Sequence, residues 1–195
     1  MASLYTESHY ENALMELFEN TLGYECVCGY HIDHNVKSPL YDEVLEESIF
    51  RINKGKPYDA IQNALLTLRN FENGTLIQKN AVFTDYLQNG ISARYTENGE
   101  ERSTLIYLID WENIENNSFI CANQWTFIEN SNRRPDILLF INGMPLVLIE
   151  LKSPSREDTD ASEGYTQIRN YMHEIPSMFY YNQICVMSDQ LTSKA

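Results

Sequence analysis

Asp136, Glu150 and Lys152 are the side chains in this sequence whose types and spacing best fit one chemical task. Glu150 and Lys152 lie two apart at the end of the apolar run Leu146-Val147-Leu148-Ile149, so on a strand they leave the same face. Asp136 opens a second apolar run, and Asn142-Gly143 between the two is a hairpin signal with apolar strands on both sides. The start of one strand then meets the end of the other, bringing two carboxylates and an ammonium to one point. With the Leu151 carbonyl, the acids supply hard oxygen ligands for Mg²⁺, which keeps several waters and takes phosphate oxygens as further partners. A metal held there lowers the pKa of bound water and offsets charge on a pentacovalent phosphorus, while Lys152 orients or deprotonates the attacking water. That is phosphodiester hydrolysis. The alternative is a solvated Glu-Lys pair, worth little at a strand end. Against it, charges placed where a buried strand emerges are costly unless paired or ligating.

The elements that must position these groups are legible in the periodicity. Ser8 with Glu11 three residues on reads as a capping box, and Tyr10, Ala13, Leu14, Leu17 and Phe18 recur at helical spacing up to Gly23. A short strand follows at Tyr24 to Val27, then a polar loop through His31, Asn35 and Pro39. Helices are expected from about Asp42 to Arg51, Pro57 to Leu68 and Leu76 to Leu87. From residue 91 the pattern becomes that of strands, at Ile91 to Tyr95, Thr104 to Asp110, Phe119 to Phe127, Asp136 to Ile141 and Leu146 to Leu151, with turns at Asn98-Gly99 and Asn142-Gly143. A charged stretch, Ser155 to Glu163, reads as a solvated loop or a segment over a ligand; a helix carrying Gln167, Ile168 and Tyr171 stops before Pro176, and a last strand spans Gln183 to Met187. The order predicts a single α/β domain over 1–195, a central mixed sheet flanked by helices, with extra helices toward the N-terminus.

Charge limits the partners this surface can hold by itself. Fourteen basic against 28 acidic residues give a net charge of −14, which repels a polyanion at long range. Arg133-Arg134 is a local exception, either contacting phosphates or standing as an exposed pair in a polar loop. No apolar stretch is long enough to span a bilayer and no secretion signal opens the chain, so a cytoplasmic protein with reduced thiols is expected. Cys26, Cys28, His31 and His34 offer zinc ligands, but the spacing matches no known finger or ribbon, and Cys-x-Cys also reads as two side chains on one strand face.

Pro135-Asp136, the apolar strand ending Glu150-Leu151-Lys152-Ser153-Pro154, and Gln167-x-x-x-Tyr171 together resemble, in order and spacing, the three nuclease motifs of the PD-(D/E)xK nucleases. More specifically, they resemble the N-terminal region of the restriction subunit of type I restriction-modification enzymes, a likeness that extends back through Arg133-Arg134 and Gly23-Tyr24 to Glu11. The resemblance implies a restriction-endonuclease-like core and Mg²⁺-dependent endonucleolytic cleavage of double-stranded DNA. It assigns catalytic roles to Asp136, Glu150, Lys152, Gln167 and Tyr171, and a metal site at Asp136, Glu150 and Leu151 with support from Glu11. On spacing alone Gln167 and Tyr171 are equally a pair on a helix surface, and Glu11 equally a cap. The resembled subunits carry an ATP-driven motor after the nuclease, and no Gly-x-x-x-x-Gly-Lys-Ser/Thr string occurs here. The resemblance therefore implies an N-terminal fragment of a longer motor-containing subunit, with ATP bound elsewhere and with methylation and specificity subunits as partners. The alternatives are a stand-alone repair or defence nuclease and a non-catalytic docking module of the same fold.

Overall fold

The computed structural model describes residues 6–152, 161–189 and 193–195. Helix α1 (Glu7–Leu22) leads into β1 (Glu25–Cys28), and α2 (Asp42–Ile52), α3 (Tyr58–Arg69) and α4 (Leu76–Asn89) follow. The ribbon β2 (Ile91–Glu97) and β3 (Glu100–Ile106) comes next, then β4 (Phe119–Asn123), β5 (Phe127–Ile128), β6 (Asn132–Arg133), β7 (Ile137–Ile141) and β8 (Met144–Leu151). Helices α5 (Ala161–Glu174) and α6 (Met178–Tyr181) precede β9 (Ile184–Ser188) and β10 (Ser193–Lys194). A mixed six-stranded sheet in the order β1-β4-β7-β8-β9-β10 is flanked by helices.

Strand directions explain why the candidate site residues collect at one end of this sheet. β1 and β4 run parallel, as do β8 and β9, while β7 is antiparallel to both β4 and β8. The C-terminal ends of β1, β4, β8 and β9 therefore lie beside the start of β7. Residues 28–30, 123–126, 134–136, 150–152 and 188 share that end.

Side-chain alternation divides the core. Ile137, Leu139, Ile149 and Leu151 pack with Tyr10, Leu14 and Phe18 of α1, whereas Leu138, Phe140 and Leu148 pack with Ile168, Tyr171 and Ile175 on the α5 side. Each such Leu or Ile contributes about 1.5–3 kcal/mol relative to exposure. A third apolar cluster joins α2, α3, α4 and the β2–β3 ribbon.

Several local expectations are corrected. The cap of α1 is Thr6 with His9, whose Nδ1 accepts the Thr6 backbone N–H at 3.3 Å, rather than Ser8 with Glu11. Pro57 precedes α3 instead of opening it, its ψ of 134° being extended. The strand expected at Thr104 to Asp110 starts earlier and ends at Ile106, because the Asn53 amide takes both backbone groups of Tyr107, at 2.9 and 2.8 Å. β2 and β3 pair only with each other and lie against α3, outside the central sheet. The run from Phe119 to Phe127 breaks at Gln124, whose φ of 52° ends the extended conformation.

Helix α4 begins as the sequence pattern of a capping box requires: the Thr75 backbone N–H donates to Gln78 Oε1 at 2.9 Å, and the Gln78 N–H donates to Thr75 Oγ1 at 3.3 Å. Thr75→Ala is expected to lower stability by about 1 kcal/mol, read as a shift of the urea midpoint with an unchanged slope.

Candidate functional site

Asp136 immediately precedes β7, and the register pairing Ile137 with Ile149 sets it beside the end of β8. Its Oδ2 accepts the backbone N–H of Leu151 at 2.7 Å. Glu150 is only 1% exposed; its Oε1 accepts from Lys152 Nζ at 3.0 Å, while Oε2 is buried and receives no donor from the described residues. Lys152 Nζ also donates to Gln167 Oε1 at 2.7 Å, and Gln167 Nε2 donates to Tyr171 Oη at 2.8 Å. The Gln-x-x-x-Tyr spacing on α5 thus joins the site: Glu150, Lys152, Gln167 and Tyr171 form one hydrogen-bonded chain. The main chain of Lys152 is anchored too, its N–H donating to the Ser188 carbonyl at 2.9 Å.

Electrostatics mark the two acids. Burial raises the pKa of Asp136 above the usual carboxylate range; the Leu151 N–H opposes this and the negative charge of Glu7 adds to it. Glu150 is raised first by burial and then by the charge of Asp136, with Lys152 acting in the opposite sense. Tyr171 is likewise raised, by burial and by the charge of Glu150. Two buried carboxylates that interact directly favour sharing a proton unless a cation takes its place.

The donor set fits a hard divalent cation. Glu150 Oε2 is an orphaned buried oxygen, and Asp136 brings a second carboxylate to the same strand end. Among the described residues no group of three or more His, Cys, Asp or Glu has metal-holding geometry, so an ion here would complete its shell with backbone carbonyl, water and phosphate oxygens.

This arrangement links folding stability to pH. A carboxyl whose folded-state pKa is raised gives stability that is fully present below its unfolded pKa and is lost as pH rises toward its folded value. Wild-type stability without metal should therefore fall from the ordinary carboxylate range upward. Glu150→Gln mimics the protonated acid and removes the Glu150 part of this loss, leaving the part due to the burial of Asp136. It is expected to raise stability by about 1–3 kcal/mol at pH 8 and to change little near pH 4, as measured by thermal melts across pH in EDTA.

Glu11 caps nothing: its Oε1 accepts from Asn123 Nδ2 at 2.6 Å, and Asn123 Oδ1 is a second buried oxygen without a donor. Asn123 pairs with Ile137, so Glu11 is held one residue from Asp136 in the register, on the α1 side of the sheet. Of the arginine pair, Arg133 is bound by Glu174, whereas Arg134 lies over the Tyr30 ring with Cζ 5.0 Å from its centroid. Cys26 donates to the Met15 carbonyl at 3.2 Å. The nitrogens of His34 lie 3.1 and 3.0 Å from the carbonyls of Ile32 and Thr126, and its ring stacks on Trp125. These contacts engage two of the four side chains of the zinc reading.

Sequence reasoning missed Glu7, Asn123, Tyr10 and Ser188, the last two joined through their hydroxyls at 2.7 Å. The polar Asn123-Gln124 step after four strand residues was the one available signal. Ser153-Pro154 and residues 155–160 of the charged stretch lie outside the described residues, and residues 161–163 open α5.

The family described as the type I restriction enzyme R protein N terminus matches residues 4–194. The chain is 33% identical over 157 residues to the type I restriction enzyme HindI endonuclease subunit of Haemophilus influenzae, covering 80% of this chain and 15% of that protein. It is also 33% identical over 194 residues to a Methanocaldococcus jannaschii protein whose name only proposes it as the type I restriction enzyme MjaIXP endonuclease subunit, covering 94% of this chain and 18% of the relative. The chain thus spans less than a fifth of the length of these relatives. With the match running from α1 through the strand that closes the site, the chain belongs to the family of type I restriction enzyme R protein N-terminal regions.

Proposed function

We propose that this chain is the nuclease region of a type I restriction enzyme R subunit, cutting double-stranded DNA by Mg²⁺-dependent hydrolysis on a restriction-endonuclease-like core. The observation that carries the reading is the Glu150–Lys152–Gln167–Tyr171 chain ending beside Asp136, with Glu150 Oε2 buried and without a donor. Asp136, Glu150 and the Leu151 carbonyl would hold the ion, with Glu11 and Asn123 in support. When bound, Mg²⁺ supplies Lewis acidity toward a phosphoryl oxygen and acidifies a water.

The protein's own groups do the rest. Lys152 has three N–H donors, of which Glu150 and Gln167 accept two. The third, without an acceptor among the described residues, would orient the attacking water or donate to the phosphoryl oxygen on which charge develops. Gln167 fixes the ammonium in direction, and Tyr171 fixes the Gln167 amide so that its carbonyl faces Lys152. None of these contacts reads a base, so cleavage at the site itself is independent of sequence.

The acidic surface fits a division of labour in which target recognition belongs to methylation and specificity subunits, and ATP-driven translocation to regions of the R subunit beyond this chain. No helix among the described residues is long and apolar enough to cross a membrane. A cytoplasmic location belongs to the proposed reading because that is where the DNA to be cut lies. The test is nicking of supercoiled plasmid at low salt with protein in excess. Nicking should require Mg²⁺ or Mn²⁺, stop with EDTA and be absent from Asp136→Asn. Equal nicking by that variant would overturn the assignment.

A further inference from the structure

Arg134 differs from Arg133 beside it in having no ion pair with a carboxylate among the described residues. Arg133 is neutralised by Glu174, and Lys152, the other cation at this end of the sheet, pairs with Glu150. Arg134 is exposed and lies across Tyr30, itself 64% exposed. With Thr126 and Asn132 the two line a groove of about 470 Å³. Among the described residues no acid lines it, in a chain with twice as many acidic as basic residues.

A guanidinium held over an aromatic ring spends no N–H donor on a carboxylate, and its fork can bind a phosphate through two parallel hydrogen bonds. The groove also opens at the catalytic end of the sheet. Tyr30 follows Cys28 at the end of β1, and Thr126 follows β4. Gly29 makes this convergence possible: a Cβ there would come within 2.7 Å of the Gln124 oxygen and the Trp125 Cα. Only Pro135 separates Arg134 from Asp136, so their Cα atoms are at most about 7 Å apart. At about 3.4 Å rise per nucleotide, that is a step or two along a DNA strand.

We infer that Arg134, seated on Tyr30 and flanked by Thr126 and Asn132, is a subsite for a backbone phosphate of the cleaved strand next to the scissile one. The inference rests on the nuclease reading of Asp136 and Glu150 and adds to it the path of the strand: out of the metal site past the ends of β4 and β1. Arg134 acts on binding and alignment, not on the ion.

The test is fluorescence anisotropy of a labelled duplex of arbitrary sequence, titrated with the 195-residue chain in Ca²⁺ at several salt concentrations, with Mg²⁺ calorimetry on the same proteins. Arg134→Gln should bind the duplex roughly fivefold more weakly, with the slope of log affinity against log salt smaller by about 1, and should bind Mg²⁺ as wild type does. Arg134→Lys should restore the slope but not the full affinity, because it keeps the charge and loses the planar fork. Wild-type affinity and slope in Arg134→Gln would overturn the subsite. So would absence of duplex binding by wild type with Mg²⁺ binding intact, an outcome that leaves the metal centre standing. Absence of Mg²⁺ binding would instead refute the nuclease reading, whatever Arg134 does.

Discussion

Lys152→Met is expected to lower Mg²⁺-supported plasmid nicking by at least about a hundredfold while leaving Mg²⁺ binding intact or somewhat tighter. Among the described residues the ammonium is held by Glu150 and Gln167 alone, so on the proposed reading its removal takes a donor from the reacting phosphate without removing a metal ligand. Loss of a positive charge beside two buried carboxylates makes a cation there more favourable, not less. Asp136→Ala should differ by losing cleavage and metal together. Gln167→Ala should be intermediate, with roughly tenfold slower nicking, since Lys152 keeps its bond to Glu150 but loses the 2.7 Å acceptor that aims it. Because Gln167 acts through Lys152, adding Gln167→Ala to Lys152→Met should cost little more. Single-turnover nicking with protein in excess checks all three. A Lys152→Met protein that cuts at the wild-type rate would remove the lysine from the chemistry.

Gly143→Ala should destabilise the fold by more than about 3 kcal/mol, a fall in Tm of at least about 6 °C for a chain of this size. Asn142 and Gly143 both have left-handed φ values, 50° and 76°, as a two-residue hairpin turn demands. That strain alone costs roughly 1–2 kcal/mol once Gly is replaced. The larger part is steric. A Cβ at 143 would lie 2.5 Å from the Tyr41 oxygen and 2.6 Å from the Leu45 nitrogen, both backbone atoms at the start of α2. The Tyr41 N–H also donates to the Gly143 carbonyl at 2.8 Å, so the turn cannot retreat without breaking that bond. Gly99→Ala is the control: the same Asn-Gly turn at φ 82°, with nothing within 4 Å of an added Cβ, should lose only the backbone part. Equal losses in the two variants, measured by thermal melts, would rule out the close approach to α2 as the cause.

The same turn shows what the sequence made legible and what it did not. Asn142-Gly143 between apolar runs dictates a hairpin, and the hairpin dictates that Asp136 meets Glu150; those links are local and survive any tertiary context. The shared face of Gln167 and Tyr171 was equally local, but its partner was not: only the β8–α5–β9 crossover brings Lys152 to it. Glu11 illustrates the opposite outcome. Its spacing from Ser8 suggested a cap, yet the start of α1 at Glu7 gave the cap to Thr6 and freed Glu11 for Asn123, 112 residues away. Likewise nothing in the alternation of β2 and β3 tells a strand of the central sheet from a ribbon lying on α3. The Asn53 clip that ends β3 spans 54 residues and has no local signature. The part of the site written in strand periodicity was readable. The part that depends on which polar side chain reaches across the fold was not.

The central claim is that Asp136 and Glu150 hold a divalent ion, and calorimetric titration of Mg²⁺ or Mn²⁺ into wild type, Asp136→Ala and Glu150→Ala tests it most directly. Binding to wild type that disappears in both variants, with each variant still melting cooperatively, is the predicted result. Binding of unchanged affinity in either variant would contradict it.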